Sequence, residues 1–351
     1  MDGRVRSPAA GEMRVPMMCP ALFLLCAAAC AAVPQSEIEL SSARGLAALA
    51  ARQDADGAYA TQYQVAGQGL AGLAFLACGH TPKQGTYAPQ LRLGLRRLLS
   101  YQDDSGYFND GKSSMYGHGF ATLYLAEVLG MWGEPREEQQ LREALKKAVG
   151  LIERSQSSHG GWDYSPDPGG MADCSITVCQ TMALRAARNI GLAIDARVVD
   201  AAFRYIRAAQ AENGGFRYRI GGPAMLRQVT IGCSAAGVCI LNGLGEYDTD
   251  SVRRGIDFVK KHCSGGLSSL TLVPGIQSPF YYTHYYASQA LFRTRGPDWD
   301  AYYGYIAAEV IRRQRQDGSW TEREGGGDVP ATAMAVFILN VPRALLPITG
   351  K

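Results

Sequence analysis

One short pattern, Q-x-x-x-G-x-aromatic, recurs five times and restricts this chain more than any other feature. The copies are Gln53-Gly57-Tyr59, Gln102-Gly106-Phe108, Gln156-Gly160-Trp162, Gln210-Gly214-Phe216 and Gln314-Gly318-Trp320, with a degenerate sixth, Lys261-Gly265-Leu267, in the one gap. Successive starts lie 49 to 54 residues apart, a period that marks a repeat architecture. The stretch before each Gln is amphipathic. In residues 140–156, Leu141, Leu145, Ala148 and Ile152 form a stripe at helical spacing, with Arg142, Glu143, Lys146 and Lys147 on the other face. The stretch after each turn is almost uncharged: residues 230–245 carry no charge, and residues 118–130 carry only Glu127. A helix apolar all round is buried all round. Each repeat therefore reads as an outer amphipathic helix, a glycine turn and an inner buried helix.

An open array of six such hairpins needs polar capping repeats at its ends. The first inner helix (67–79) and the last (332–341) are as apolar as those between them, so the two ends must cover each other. The expectation is all-α: an (α/α)6 toroid forming one domain over residues 38–348. Composition agrees, with 47% hydrophobic and 19% charged residues. Glycine is abundant, 41 of 351, but follows no triplet period, which excludes collagen. A net charge of +3 without a Lys/Arg run gives no basis for a nucleic-acid partner.

Residues 21–33, ALFLLCAAACAAV, are apolar and uncharged but too short to span a bilayer. With Arg14 upstream and Ala29-Cys30-Ala31 as a small-x-small cleavage site, they read as a secretory signal peptide over residues 1–32, whose usual layout begins at Met13. Export to the periplasm or beyond is the expectation, with lipid attachment at Cys30 the lesser alternative and no transmembrane span in the mature chain. Six cysteines remain: Cys78, Cys174, Cys179, Cys233, Cys239 and Cys263. Five sit in apolar helical segments and none forms a CxxC pair, so they read as buried thiols rather than a zinc knuckle or a disulfide framework.

Q-x-x-x-G-x-W after a helix resembles the repeat of squalene and oxidosqualene cyclases and of protein prenyltransferase β subunits, over roughly residues 40–345. The segments MYGHGFATLYLAEVLG (115–130), DCSITVCQTMAL (173–184) and YYTHYYASQALF (281–292) are still more similar to a group of exported bacterial repeat proteins without an assigned reaction. The resemblance implies a toroid whose central cavity takes an isoprenoid or other apolar ligand. It does not extend to cyclisation. The D-x-D-D acid motif is missing, since Asp54-Ala55-Asp56, Asp248-Thr249-Asp250 and Asp298-Trp299-Asp300 each lack the final Asp, and the length allows one barrel, not two. Prenyltransferases hold zinc through Asp and Cys on one inner helix and His on another. Asp173, Cys174 and His284 echo that set in part, but adjacent helical residues point about 100° apart, so zinc is a minor expectation and no other cofactor is called for. The Cys-Gly-Glu-Gln motif of complement-type thioester domains is absent.

Aligning the inner helices by apolar register puts Gln68, His118, Thr177, Cys233, His284 and Thr332 at equivalent first-turn positions, with Ser114, Asp173 and Asp328 one turn earlier. Helix N-termini carry partial positive charge, so a polar mouth above an apolar interior is expected. Phe280, Tyr281, Tyr282, Tyr285 and Tyr286 add an aromatic cluster there. The ligand-binding candidates are His118, Asp173, Cys233, His284, Tyr116, Tyr282, Tyr285, Arg227 and Asp328. They suit a ligand with a long apolar body and a small or anionic head; no residue is assigned to catalysis. Structural roles stand beside these: Asp173 as a helix cap, and His118 and His284 as links between helices. Two other functions remain open. One is a toroid lyase or hydrolase acting on polysaccharide, drawing on Arg217, Tyr218, Arg219 and Arg227 or on Asp163, Asp167, Asp173 and Asp328. The other is a scaffold whose polar rim binds protein. A filled ring centre favours the scaffold, an open apolar cavity a lipid, and a long polar groove a polysaccharide.

Overall fold

The computed structural model describes residues 33–349 apart from 60, 113, 264–277 and 323–325. The expected leader with Cys30, and the Gly265 and Leu267 of the degenerate copy, lie outside the described residues. Among the described residues, six outer helices, α1 (Gln35–Ala51), α3 (Ala88–Leu99), α5 (Pro135–Arg154), α7 (Ala196–Ala209), α9 (Asp250–Cys263) and α11 (Pro297–Arg312), alternate with six inner ones. The inner helices are α2 (Gln64–Ala77), α4 (Met115–Val128), α6 (Cys174–Asn189), α8 (Ile231–Gly243), α10 (Phe280–Phe292) and α12 (Asp328–Asn340). Outer helices bury one stripe, as Leu141, Leu145, Ala148 and Ile152 do in α5, whereas α4 and α12 are buried along nearly their whole length. Each inner helix packs on the next, and α12 returns to pack on α1 and α2. The ring is closed, as the apolar terminal repeats require.

The repeated motif is the lock between neighbouring hairpins. Each Gln side-chain amide donates twice, to the carbonyl of its own turn glycine and to a carbonyl of the next outer helix. Gln53 thus joins Gly57 to Gln90, Gln102 joins Gly106 to Ala144, Gln156 joins Gly160 to Val198, and Gln210 joins Gly214 to Ser251, all at 2.8–3.2 Å. In the last copy the next helix is the first: Gln314 bridges Gly318 and Ser41 at 2.9 Å. Arg52 and Asp317, 2.7 Å apart, and Asn340 with Ser42 at 2.9 Å hold the same seam.

The glycines are fixed by conformation and by space. Gly160 has φ +92°, and a Cβ there would lie 2.1 Å from the carbonyl oxygen of Ala201 in α7. The aromatic that follows is buried behind it, and the Trp162 and Trp320 indoles donate to Ile152 and Val310 at 2.7 and 2.6 Å.

The far end of the ring is sealed by residues after α12. Leu346 and Ile348 are buried, and the Ile348 carbonyl accepts from Arg293 Nη2 at 2.8 Å. Its N–H meets Glu127, whose carboxyl burial pushes up to about 8, the Ile348 N–H and the nearby Arg185 acting the other way. The six cysteines stand as free thiols. Among the described residues no helix is long and apolar enough to cross a membrane.

Two measurements check these assignments. Gly191 has φ +86° but nothing within 4 Å of where an alanine methyl would stand, so Gly191→Ala should lose only the left-handed penalty of about 1–2 kcal/mol. Gly160→Ala must also displace α7 and should lose at least about 2 kcal/mol more in urea denaturation. For Glu127, the folded state keeps a proton that the unfolded chain releases near its ordinary value, so stability falls as pH rises from the ordinary carboxyl range to about 8. Glu127→Gln should remove that slope, at most about 1.4 kcal/mol per pH unit, and gain on the wild type across this window.

Candidate ligand cavity

All inner helices start at the same end of the ring, and their first turns surround a cavity of about 700 Å³. Ala66 and Leu70 of α2, Cys233 of α8, and Pro330 and Met334 of α12 give it aliphatic and thiol surface. Tyr63, Tyr116, Tyr164, Tyr218 and Tyr282 wall it, with Lys112 and Glu322 contributing charge. Below, the ring centre is filled: Tyr285 packs on Phe337 and Phe120, with centroids 4.7 and 6.0 Å away, and on Tyr286 at 5.0 Å. The result is a blind cavity open at one end, not a channel.

Five of the six inner-helix N-termini around the mouth carry a side-chain cap; α12, which follows Gly327, carries none. Ser114 accepts from Tyr116 N–H in α4, Asp173 from Ser175 N–H in α6, and Thr230 from Cys233 N–H in α8. Asp110 accepts from Gln64 N–H at the start of α2, and Glu322 from Phe280 and Tyr281 N–H at the start of α10.

One wall is polar. Asp173 is fully buried behind it, accepting from Ser175 N–H at 2.7 Å, from Ser175 Oγ and from Arg219 Nε at 3.4 Å. Burial pushes its carboxyl up, while Ser175, Tyr218 and Arg219 pull it down. Arg219 also reaches Asp163 at 3.3 Å, and the Tyr164 and Tyr218 hydroxyls lie 2.9 Å apart. Tyr218 comes from a hairpin arm inserted before α8, in which β1 (Phe216–Arg217) pairs antiparallel with β2 (Val229–Thr230).

The structure sorts the residues expected from sequence into three groups. Tyr116, Tyr282 and Cys233 line the cavity; Asp173 braces its wall from behind. Tyr285 lies beneath the floor, Arg227 is exposed on the arm beside the cavity-lining Leu226, and Asp328 is 3.1 Å from Arg315 at the ring seam. The histidines face the outer layer. His118 Nδ1 accepts from Phe108 N–H at 3.2 Å and Nε2 donates to the Ala148 carbonyl at 3.2 Å; burial pushes its pKa down to about 4. His284 packs on Tyr302, whose hydroxyl lies 3.0 Å from Nδ1, and burial pushes it down to about 3.

The polar first-turn positions thus serve the turns. Thr177 and Thr332 accept from Trp162 and Trp320 N–H at 3.1 and 3.0 Å, as His118 does from Phe108, and Gln68 donates to the Gly57 carbonyl. In the fourth repeat the equivalent residue is Ser234, 2.9 Å from Phe216 N–H, not Cys233. Asp173, Cys174 and His284 do not form a zinc set: no three His, Cys, Asp or Glu side chains gather for a metal among the described residues. The Cys174 thiol instead points to the Cys233 carbonyl at 3.6 Å. Sequence reasoning passed over Tyr63, Tyr164, Lys112 and Glu322, which stand in loops without periodicity.

No family model and no curated protein matches this chain. Solved structures do. The GH76A α-1,6-mannanase of Salegentibacter sp. HEL1_6, as an inactive variant in complex with α-1,6-mannotriose, aligns with TM-score 0.63 at 10% identity, over 89% of this chain and 99% of that one. The type II terpene cyclase MstE from Scytonema aligns with TM-score 0.59 at 15% identity, over 89% of this chain and all of that one. Its complex with geranylgeranyl dihydroxybenzoate aligns with TM-score 0.59 at 13% identity, over 87% and 96%.

His118→Ala, which orphans a buried N–H and a buried carbonyl, should cost about 2–4 kcal/mol. His118→Thr, which restores the bond that Thr177 and Thr332 make to their turns, should recover part of that loss in thermal unfolding. The chain has the α/α-toroid fold that terpenoid cyclases share with other toroid enzymes.

Proposed function

We propose that this is an exported protein whose cavity holds an amphiphile with an isoprenoid or other apolar body, without squalene-cyclase chemistry. The observation that carries this reading is the blind cavity of about 700 Å³ with Leu70, Met334, Ala66 and Pro330 in its wall, above a ring centre filled by aromatic side chains. Each methylene buried there contributes about 0.8 kcal/mol, and the volume lies in the usual range for small-molecule pockets. Export rests on the leader-like residues 1–32.

The absence of suitable acids from the described wall supports binding over either neighbouring chemistry. Protonating an alkene takes a strong carboxylic acid facing the ligand; Asp173 lies behind the wall with both oxygens engaged. Glycoside hydrolysis takes two carboxyl groups about 5–9.5 Å apart across the substrate. Among the described lining residues Glu322 is the one carboxylate, and it accepts from the α10 backbone. The tyrosine-rich mouth keeps polysaccharide as a second reading, since sugar rings stack on aromatic faces.

Native mass spectrometry of the protein purified from its own compartment tests the proposal. A bound mass that extracts into organic solvent is expected, and Leu70→Trp, which fills the cavity from α2, should abolish it while helical circular dichroism is kept. A bare chain that binds mannotriose and no lipid would overturn the reading.

A further inference from the structure

The cavity lining changes character with depth. Ala66, Leu70, Cys233, Pro330 and Met334 are buried, whereas Tyr63 and Tyr164 keep 39% and 42% of their surface exposed and Lys112 is exposed as well. Ser114, Tyr218, Ser278 and Glu322 stand half-buried among these rim residues. A hydrocarbon chain suits the buried layer. The rim decides what that chain must carry.

The rim presents donors and acceptors together, from five separate segments. In the loop before α4, Lys112 supplies an ammonium and Ser114 a hydroxyl; Ser278 supplies another just before α10. A backbone N–H can only donate, so Ser114 Oγ accepts from Tyr116 N–H and Ser278 Oγ from Gly232 N–H, both at 3.3 Å, and each hydroxyl keeps its own proton to give. Tyr164, in the loop after Trp162, and Tyr218, on the arm, have hydroxyls 2.9 Å apart; whichever donates, lone pairs remain on both oxygens. Glu322, after Trp320, brings a carboxylate, whose oxygens each take more than one hydrogen bond. A head group that displaces water from such a rim without replacing its hydrogen bonds loses affinity. Replacement takes a head that donates and accepts in several directions and that also covers the exposed tyrosine surface.

Resting on the proposed function above, we infer that the ligand is a lipid glycoside: its hydrocarbon chain fills the buried layer, and an uncharged sugar sits at the rim among Tyr63, Lys112, Ser114, Tyr164, Ser278 and Glu322. Each sugar hydroxyl gives one proton and offers two lone pairs, so one ring serves donors and acceptors on several sides at once. Its C–H faces pack on the tyrosines. The same ring accepts from Lys112 and donates to Glu322, whereas a phosphate or carboxylate head gains Lys112 and is repelled by Glu322, and an ammonium head does the reverse. A single hydroxyl head reaches too few of the five segments to replace the water it displaces.

The test is isothermal calorimetry of the full mature chain, cleared of endogenous ligand, with farnesyl glucoside, farnesyl mannoside, farnesol, farnesyl phosphate, farnesylamine and mannotriose. The tighter of the two glycosides is expected to bind about tenfold or more tighter than farnesol, the phosphate or the amine. Tyr164→Ala and Ser278→Ala, with helical circular dichroism kept, should each narrow the glycoside's advantage over farnesol to about threefold or less. Glycosides no tighter than farnesol, a phosphate or amine tighter than both glycosides, or an advantage untouched by both substitutions would overturn the head-group inference and leave the apolar cavity standing. Uptake of mannotriose alone, or of no compound at all, would overturn the cavity reading itself.

Discussion

The side-chain amide of the repeated glutamine is the contact on which the ring depends. Its two N–H groups diverge, one to the turn it precedes and the other to the next outer helix, so one planar group fixes the spacing between successive hairpins. Glycine follows because the turn backbone must come close enough for that span, with α7 taking the room a Cβ would need at Gly160. A polar residue in the inner helix follows in turn, because the buried N–H after the turn needs an acceptor. One bond pattern repeated along the chain sets one rotation per hairpin. When Gln314 finds Ser41 the rotation has closed on itself, and no capping repeat is needed.

This explains which parts could be read from residues alone. The repeat, the two helix classes and the closure follow from periodicity and from apolar terminal units, and the structure bears them out. The cavity lining does not follow, because an inner helix is buried on two opposite sides. Periodicity identifies burial but not whether a side chain faces the axis or the outer layer. His118 and His284 lie on the outer side, and Tyr116 and Tyr282, two residues before each, on the axial side. Apolar register also assumes a constant distance from turn to inner helix. The arm between Phe216 and Thr230 breaks that assumption, and the slip from Ser234 to Cys233 is the result. Tyr164 and Tyr218 sit in such insertions, where only folded geometry brings their hydroxyls together.

The fold likeness to both a terpene cyclase and a mannanase shows how little the toroid itself says about chemistry. Those architectures share the ring, and the contents of its mouth decide its use. Here the interior is divided by Tyr285, Tyr286, Phe120 and Phe337, which leave a blind pocket above. An apolar blind pocket rewards a hydrocarbon tail in proportion to the area it buries.

Parallel inner helices also polarise the ring. Their N-termini gather at the cavity and their C-termini at the sealed end, so the six helix dipoles point the same way. Side-chain charges follow that field. Carboxylates at the cavity end, Asp110, Asp173 and Glu322, each accept from a helix N-terminus. At the sealed end Arg188 stands in the last turn of α6 and Arg293 at the C-cap of α10, cations beside the negative ends of helices. Glu127, one residue from the end of α4, is the exception, and it is the carboxyl whose pKa is driven up to about 8. A neutral Glu127 can share its site with the Ile348 main chain without adding a second negative charge there. The seal and the mouth are therefore two consequences of one topology: one helix direction gathers acids at the helix N-termini around the mouth, and burial beneath the seal makes Glu127 keep its proton at the closed end.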